Sequence, residues 1–418
     1  MVGREWDDAL FSRFDAFQEK LQVCVSRICH FFFSADIPQF PETLERLISP
    51  APTLERLSLT CGGQYFPEYA VIPETLFGGI IPRLSSLELR KYGINWTSPL
   101  LRGLRYLYIR SAPVYPSLSV WLDALDEMPQ LEILTLQWAS PVADDAGSIP
   151  FDVERTATLP SLTHIDISES PRDCSFTLAH LDLPALTCLS VKAFHDLPDG
   201  SNVWDVFPYI AQHSHGSQDT QTLLIRGKKT HVDIFAWPVP NIDVEVQGSA
   251  TAPPRVALSL RSNSWYFDDT PNEILGMATR SVPLGGLVTL IIQDFLPPPF
   301  EQPWLPNLPK FPLLQHMRLA SNVTTGFIDW LKADNGERED PLLPSLKELV
   351  VVDANLHEDW TLRLCEALMK RVEQGVPWRC STCARATRIL VTQQLFGYLV
   401  KLWSTFWVPK KHSTQDRK

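Results

Sequence analysis

The sequence is short of cysteine, of long apolar runs and of positive charge, and each shortage closes a class of function. Eight cysteines in 418 residues are too sparse for a disulfide scaffold and sit inside ordinary hydrophobic segments. That pattern points to a reducing intracellular compartment, cytoplasmic or nuclear. The sequons at Asn95-Trp96-Thr97 and Asn322-Val323-Thr324 then read as chance matches. The longest apolar stretch, 395–408, is interrupted by Lys401 and falls short of the roughly 20 residues a bilayer span needs, so no membrane span is expected. The first twenty residues alternate charge with Trp6, Phe11, Phe14 and Phe17 and hold no signal-peptide core. With 37 Lys and Arg against 48 Asp and Glu, the formal charge is −11. A phosphate backbone is a poor partner for such a chain, and no nucleic-acid role is expected. Charge is uneven, however: residues 379–418 hold eight basic residues and one acid, Asp416.

Catalytic equipment is missing as well. No Gly-x-Ser-x-Gly, phosphate loop or dinucleotide fingerprint occurs. Asp144-Asp145 and Asp268-Asp269 lie beside Gly, Pro or Thr, which suits turns better than paired acid–base work. Cys380 and Cys383 form one CxxC, half of what a zinc site needs, with only His357 and Cys365 as remote additions. His213 and His215 fall in a polar stretch, 211–220, that reads as a solvated loop. The chain is therefore expected to have no catalytic residues, no metal and no cofactor, and not to be an enzyme.

What is present is a repeat. A proline or small residue followed by Leu-x-x-Leu-x-Leu begins at Leu54, Leu84, Leu104, Leu131, Leu162 and Leu186, then at Val256, Leu287, Leu314 and Leu346, with a weaker copy near 223–225. In a strand, alternate side chains share a face, so Leu-x-Leu sends two apolar groups into one core. One such strand cannot bury its face alone; stacked copies form a parallel ladder, and the spacings of 20 to 32 residues leave room for the crossovers that parallel pairing demands. Pro52, Pro82, Pro129, Pro160, Pro184, Pro283, Pro312 and Pro344 stand just ahead of the strands, where a missing N–H costs no ladder bond. Helical crossovers are expected around Leu118, Trp121, Leu122, Leu125 and Met128, around Val203, Phe207 and Ile210, around Phe327, Trp330 and Leu331, and over 359–374. The fold class expected is α/β: a leucine-rich-repeat solenoid, horseshoe-shaped, with a parallel β-ladder in chain order and irregular helical or loop crossovers. Residues 1–40 are expected to form a helical cap, 41–375 the solenoid and 376–418 a basic, aromatic, partly helical segment ending in a disordered tail. Residues 204–246, where the repeat is weakest, should be the most irregular.

Three phrases carry a resemblance to a family: Pro52-Thr53-Leu54-Glu55-Arg56-Leu57-Ser58-Leu59, the run from Leu76-Phe77-Gly78-Gly79 to Leu87-Glu88-Leu89, and Met128-Pro129-Gln130-Leu131-Glu132-Ile133-Leu134-Thr135-Leu136. Over about residues 40–375 the chain resembles fungal F-box-like proteins with degenerate leucine-rich repeats. The resemblance implies a substrate-recognition subunit of a Skp–cullin–F-box ubiquitin ligase, in which an amino-terminal F-box docks on the Skp adaptor and the repeats hold the substrate. Residues 1–40 lack the Leu-Pro opening and acidic-apolar helix of an F-box. The adaptor is thus expected as a partner only if an F-box lies upstream. The alternative is an interaction or scaffold solenoid with no ligase link.

In either case the expected partner is another protein, bound on the concave side by the residues between and after the paired leucines. These are Glu88 and Arg90, Tyr108 and Arg110, Thr135 and Gln137, Asp166 and Ser168, and Ser190 and Lys192, a mixed polar surface with Tyr108 and Arg110 at its centre. At the other end, Leu349-Val350-Val351-Val352 is apolar on both faces and should be covered on both. Residues 389–408 are the candidate cover, as a helix docked on the last repeat, with a membrane-surface helix as the alternative.

Overall fold

A computed structural model describes residues 20, 23–35, 44–61, 71–141, 153–195, 203–214, 219–228, 230–240, 253–262, 276–278, 280–293, 308, 311–320, 327, 343–352 and 366. Its strands are β1 (His30–Ala35), β2 (Arg56–Cys61), β3 (Ser86–Arg90), β4 (Tyr106–Arg110), β5 (Ile133–Gln137), β6 (Ala157–Thr158), β7 (His164–Glu169), β8 (Leu181–Asp182), β9 (Cys188–His195), β10 (Thr222–Lys228), β11 (His231–Trp237), β12 (Val256–Ser262), β13 (Thr289–Gln293), β14 (His316–Ala320) and β15 (Glu348–Val352). Thirteen of them form one sheet, in the order β1-β2-β3-β4-β5-β7-β9-β12-β11-β10-β13-β14-β15. Every neighbouring pair is parallel except β12–β11 and β11–β10. The architecture is α/β with a mostly parallel sheet. β6 and β8 pair separately as a two-stranded parallel ribbon.

The proline ahead of each strand has a more specific job than halting the preceding element. In Ala51-Pro52-Thr53-Leu54 the Leu54 N–H donates to the Ala51 carbonyl (3.1 Å). The same bond closes Ile81-Pro82-Arg83-Leu84, Met128-Pro129-Gln130-Leu131, Leu159-Pro160-Ser161-Leu162, Leu183-Pro184-Ala185-Leu186, Phe311-Pro312-Leu313-Leu314 and Leu343-Pro344-Ser345-Leu346. Proline sits second in each turn, where its fixed φ near −65° is what the turn requires. The leucine that ends the turn is buried in every case. The two residues after it then both donate to one carbonyl of the previous repeat: Ser85 and Ser86 to Glu55, Arg105 and Tyr106 to Ser85, Glu132 and Ile133 to Arg105, Thr163 and His164 to Glu132. Each turn thereby launches its strand in register with the one before.

The register stacks Leu57, Leu87, Leu107, Leu134, Ile165 and Leu189 in one row, and Leu59, Leu89, Ile109, Leu136, Ile167 and Val191 in the next. All are buried in a single apolar core. Crossovers cover that core. Helix α1 (Leu118–Asp126) buries Trp121, Leu122, Ala124 and Leu125, as its spacing predicts. Helix α2 (Pro171–Ala179) was not expected, although it carries a start signal: Ser170 Oγ accepts from the Asp173 N–H (3.1 Å) and Pro171 opens the first turn. Helix α3 (Phe207–Ser214), preceded by a 3₁₀ turn at Val203–Val206, is the expected second crossover helix.

Four expectations need correction. His30–Ala35 is not part of a helical cap but the edge strand β1, paired with β2. The strands do not follow chain order throughout, because β10, β11 and β12 enter the sheet reversed. The described part of 204–246 is regular: a helix followed by two seven-residue strands. Finally, Val256 does not begin a repeat. It lies in register with Leu189, so the position of the leading leucine falls on Pro253. The physical cause of the reversal is legible afterwards. Lys228 pairs with His231, leaving two residues to connect β10 and β11. That suffices for a hairpin, whereas a parallel crossover needs a dozen or more. The helices expected over 359–374 and around Phe327, Trp330 and Leu331, and the segment 376–418, lie outside the described residues apart from 327 and 366.

Candidate functional site

On the face opposite the core, the same register lines up the residues singled out in the sequence. Glu88, Tyr108, Thr135, Asp166 and Ser190 form one row across β3, β4, β5, β7 and β9, and Arg90, Arg110, Gln137, Ser168 and Lys192 form the next. Several of their side chains meet in two groups, one on β3 to β5 and one on β7 and β9. Arg90 Nε donates to Glu88 Oε1 (2.7 Å) and its guanidinium lies 5.0 Å from the Tyr108 ring centroid. Hydrogen bonding to Glu88 holds the Arg90 pKa above its ordinary value. The Tyr108 hydroxyl donates to Gln137 Oε1 (3.3 Å). Ser190 Oγ donates to Asp166 (3.1 Å), and Lys192 Nζ lies 3.3 Å from Asp166 Oδ2. Glu88, Arg90, Tyr108, Gln137, Asp166 and Lys192 are half-buried, while Arg110 is exposed and has no ion-pair partner among the described residues.

The strand exits repeat too. Lys91, Ser111 and Trp138, one residue beyond β3, β4 and β5, all have positive φ (59°, 54° and 55°). The next N–H groups after Trp138, on Ala139 and Ser140, donate to the Glu169 carboxylate, the latter at 2.9 Å. Glu169 is 3% exposed. Burial pushes its carboxyl up to about 7, against the pull of the two backbone donors.

A second feature went unnoticed in the sequence. At the entry end of β1 to β5 an open groove of ≈ 440 Å³ is lined by Phe32, Arg56, Glu88, Tyr106, Glu132 and Ile133, with Ser58, Ser85, Ser86 and Arg105 between them. Phe32 is 66% exposed. Arg105 is bonded to Glu132. The signal was faint because each strand contributes only one to three residues near its start, and these become neighbours only once the register is known.

Further along the sheet the same face changes character. Leu224, Ile291 and Phe235 occupy the row of Glu88 and Tyr108, and with Trp237 they form an apolar cluster distinct from the core. Leu224, Trp237 and Ile291 are buried. Val350, expected to be covered on both sides, is half-buried. Its candidate cover, 389–408, lies outside the described residues, as do Cys380, Cys383, Asp144, Asp145, Asp268, Asp269 and His215.

His213 is not in a solvated loop. It ends α3, with Nε2 2.9 Å from the Leu178 carbonyl, and burial lowers its pKa. Among the described residues no group of three His, Cys, Asp or Glu side chains could hold a metal ion, and no helix is long and apolar enough to cross a membrane. No disulfide forms among the described cysteines; Cys61 and Cys174 are buried and free. No known family model matches the chain, and a search of curated proteins finds no match.

Proposed function

We propose that this chain is a protein-recognition module of the leucine-rich-repeat type, binding its partner on the polar rows of β3 to β9. One observation carries the reading. A sheet whose one face is the apolar core presents on the other, in register over five strands, rows of polar and aromatic side chains, several of them tied to a neighbouring strand. Side chains held in place before binding lose little rotamer freedom when a partner arrives, and Tyr and Arg are the residues most enriched at binding hot spots. By the resemblance of its repeats, the module is a substrate receptor of a Skp–cullin–F-box ligase. A second reading, an interaction solenoid without a ligase link, is favoured by β1. His30–Ala35, inside the stretch where adaptor-docking helices were sought, is a strand of the sheet.

The test is a photo-crosslinking residue placed at Tyr108 and, as control, at Ser119, exposed on α1. Protein adducts from position 108 alone, abolished by Arg90→Glu with Arg110→Glu in a chain that still melts cooperatively, support the recognition face. Equal adducts from both positions would overturn it. Co-purification with the Skp adaptor separates the ligase reading from the second one.

A further inference from the structure

The groove at the entry end of β1 to β5 offers more than the rows beyond it, because one of its charges is uncommitted. Arg56 and Arg105 line it, against the carboxylates of Glu88 and Glu132. Both carboxylates are already engaged, Glu88 with Arg90 (2.7 Å) and Glu132 with Arg105. Arg56 in the groove lining is exposed, with no ion-pair partner among the described residues. A basic ligand would have to break an existing pair to find a carboxylate, whereas an acidic one finds free guanidinium donors. Apolar and aromatic side chains stand at its ends, Phe32 at one and Tyr106 and Ile133 at the other, with Ser58, Ser85 and Ser86 between them.

Size narrows the choice. The groove crosses five strands, so four spacings of about 4.8 Å give a length of about 19 Å. An extended segment of about six residues spans that distance. A volume of ≈ 440 Å³ lies inside the range of about 300–1,000 Å³ typical of pockets that enclose side chains or small ligands. Building on the recognition-face reading, we infer that this groove takes an extended, acidic segment of the protein partner, with an apolar or aromatic side chain set between Phe32 and Tyr106 and a carboxylate on Arg56.

A random-peptide display library panned on the full chain tests this without knowledge of the partner. Enriched peptides should pair Asp or Glu with an aromatic or large apolar residue. Arg56→Glu should cut that enrichment by about tenfold, the factor for losing one charge-assisted hydrogen bond. Phe32→Ala, at a side chain so exposed that its loss spares the core, should cut it comparably, while Arg102→Glu, outside the groove lining, should not. Both variants are checked for an unchanged melting curve. Basic consensus peptides, no enrichment, or enrichment untouched by both variants would each overturn the inference. So would binding of a single-stranded oligonucleotide that depends on Arg56. If Tyr108 still crosslinks a protein while no peptide class is enriched, the groove assignment falls and the recognition face stands.

Discussion

Strands β2, β3, β4, β5, β7 and β9 and strands β10 to β12 belong to one sheet, yet they were placed there by different means. In the first region each strand follows an apolar-Pro-x-Leu turn or a short helix, its opening N–H groups bond to the preceding repeat, and its order in space is its order in the chain. In the second, Thr220 and Pro253 stand where the leading leucine would be, given the register of Leu223 with Leu290 and of Val256 with Leu189. The Thr220 N–H reaches the Pro283 carbonyl instead of closing a local turn. Without the turn nothing local dictates which neighbour a strand takes. A two-residue connection then folds β10 and β11 into a hairpin that inserts between β12 and β13. The surface changes along with the order. At one register position the first region shows Glu88, Tyr108 and Asp166, while the second shows Leu224 and Phe235, clustered with Ile291 of the neighbouring β13. A strand pairing rule is thus a property of the turn before it, and the character of its outer face is a separate choice.

The strongest way to break this comparison is to swap that outer character. Ile291→Asp places a charge at a site 1% exposed, and should cost at least about 4 kcal/mol or abolish cooperative unfolding. Tyr108→Asp, in the same row, should change stability by less than about 1 kcal/mol. Equal losses in urea denaturation would mean that the two faces are not different in kind. Next in size is the turn leucine. Leu131→Ala, at 0% exposure, should lose about 2–5 kcal/mol, because its side chain anchors the turn to the core as well as filling it.

Glu169 offers a contrast within one row. It is in register with Ala193, which pairs onward with Leu260 and Val232, so a carboxyl occupies a line that is otherwise apolar. Burial raises its pKa to about 7 from an ordinary 4.5, and the folded state therefore holds this proton more tightly than the unfolded chain does. The stability this group contributes is fully present below about pH 4.5 and is lost as pH rises through 7, a difference of about 3 kcal/mol. Denaturation midpoints should fall across that window in the parent chain. In Glu169→Gln, which keeps an acceptor for Ala139 and Ser140, that part of the slope should vanish; an unchanged slope would assign it to other groups. The smallest effect is at the proline. Pro129→Ala keeps the turn but frees the unfolded chain, and should cost about 0.5–1 kcal/mol.

Much of this was legible. The Leu-x-Leu phrases located the strands and their buried faces, and the stripes at Leu118–Leu125 and Val203–Ile210 located α1 and α3. The polar rows of Glu88, Arg90, Tyr108, Arg110, Gln137, Asp166 and Lys192 were legible too, since strand parity decides them. Helix α2 was missed because its apolar stripe is weak, although Ser170-Pro171 marks its start. β1 was misread because His30-Phe31-Phe32-Phe33 continues an apolar pattern that a helix would also satisfy, and only pairing with Leu57 and Leu59 picks the strand. The alternation Val232, Ile234, Ala236 was a hairpin signal, lying too close behind Leu223 and Ile225 for a crossover.

By itself the sequence determined everything set by neighbours along the chain: where each proline turn closes, which side chains each strand turns inward, and that successive strands after such turns lie parallel. These follow from φ restriction, side-chain alternation and short hydrogen-bonded loops, all of which act over a few residues. Only the tertiary structure decided that β12 and not β10 lies beside β9, that the outer face is apolar and buried around Ile291 but polar around Tyr108, and that Phe32, Arg56, Tyr106 and Ile133 from four strands line one groove. Those outcomes depend on pairings across 20 to 70 residues, where many partners compete and the winner is the arrangement that buries the most apolar surface with its backbone groups paired.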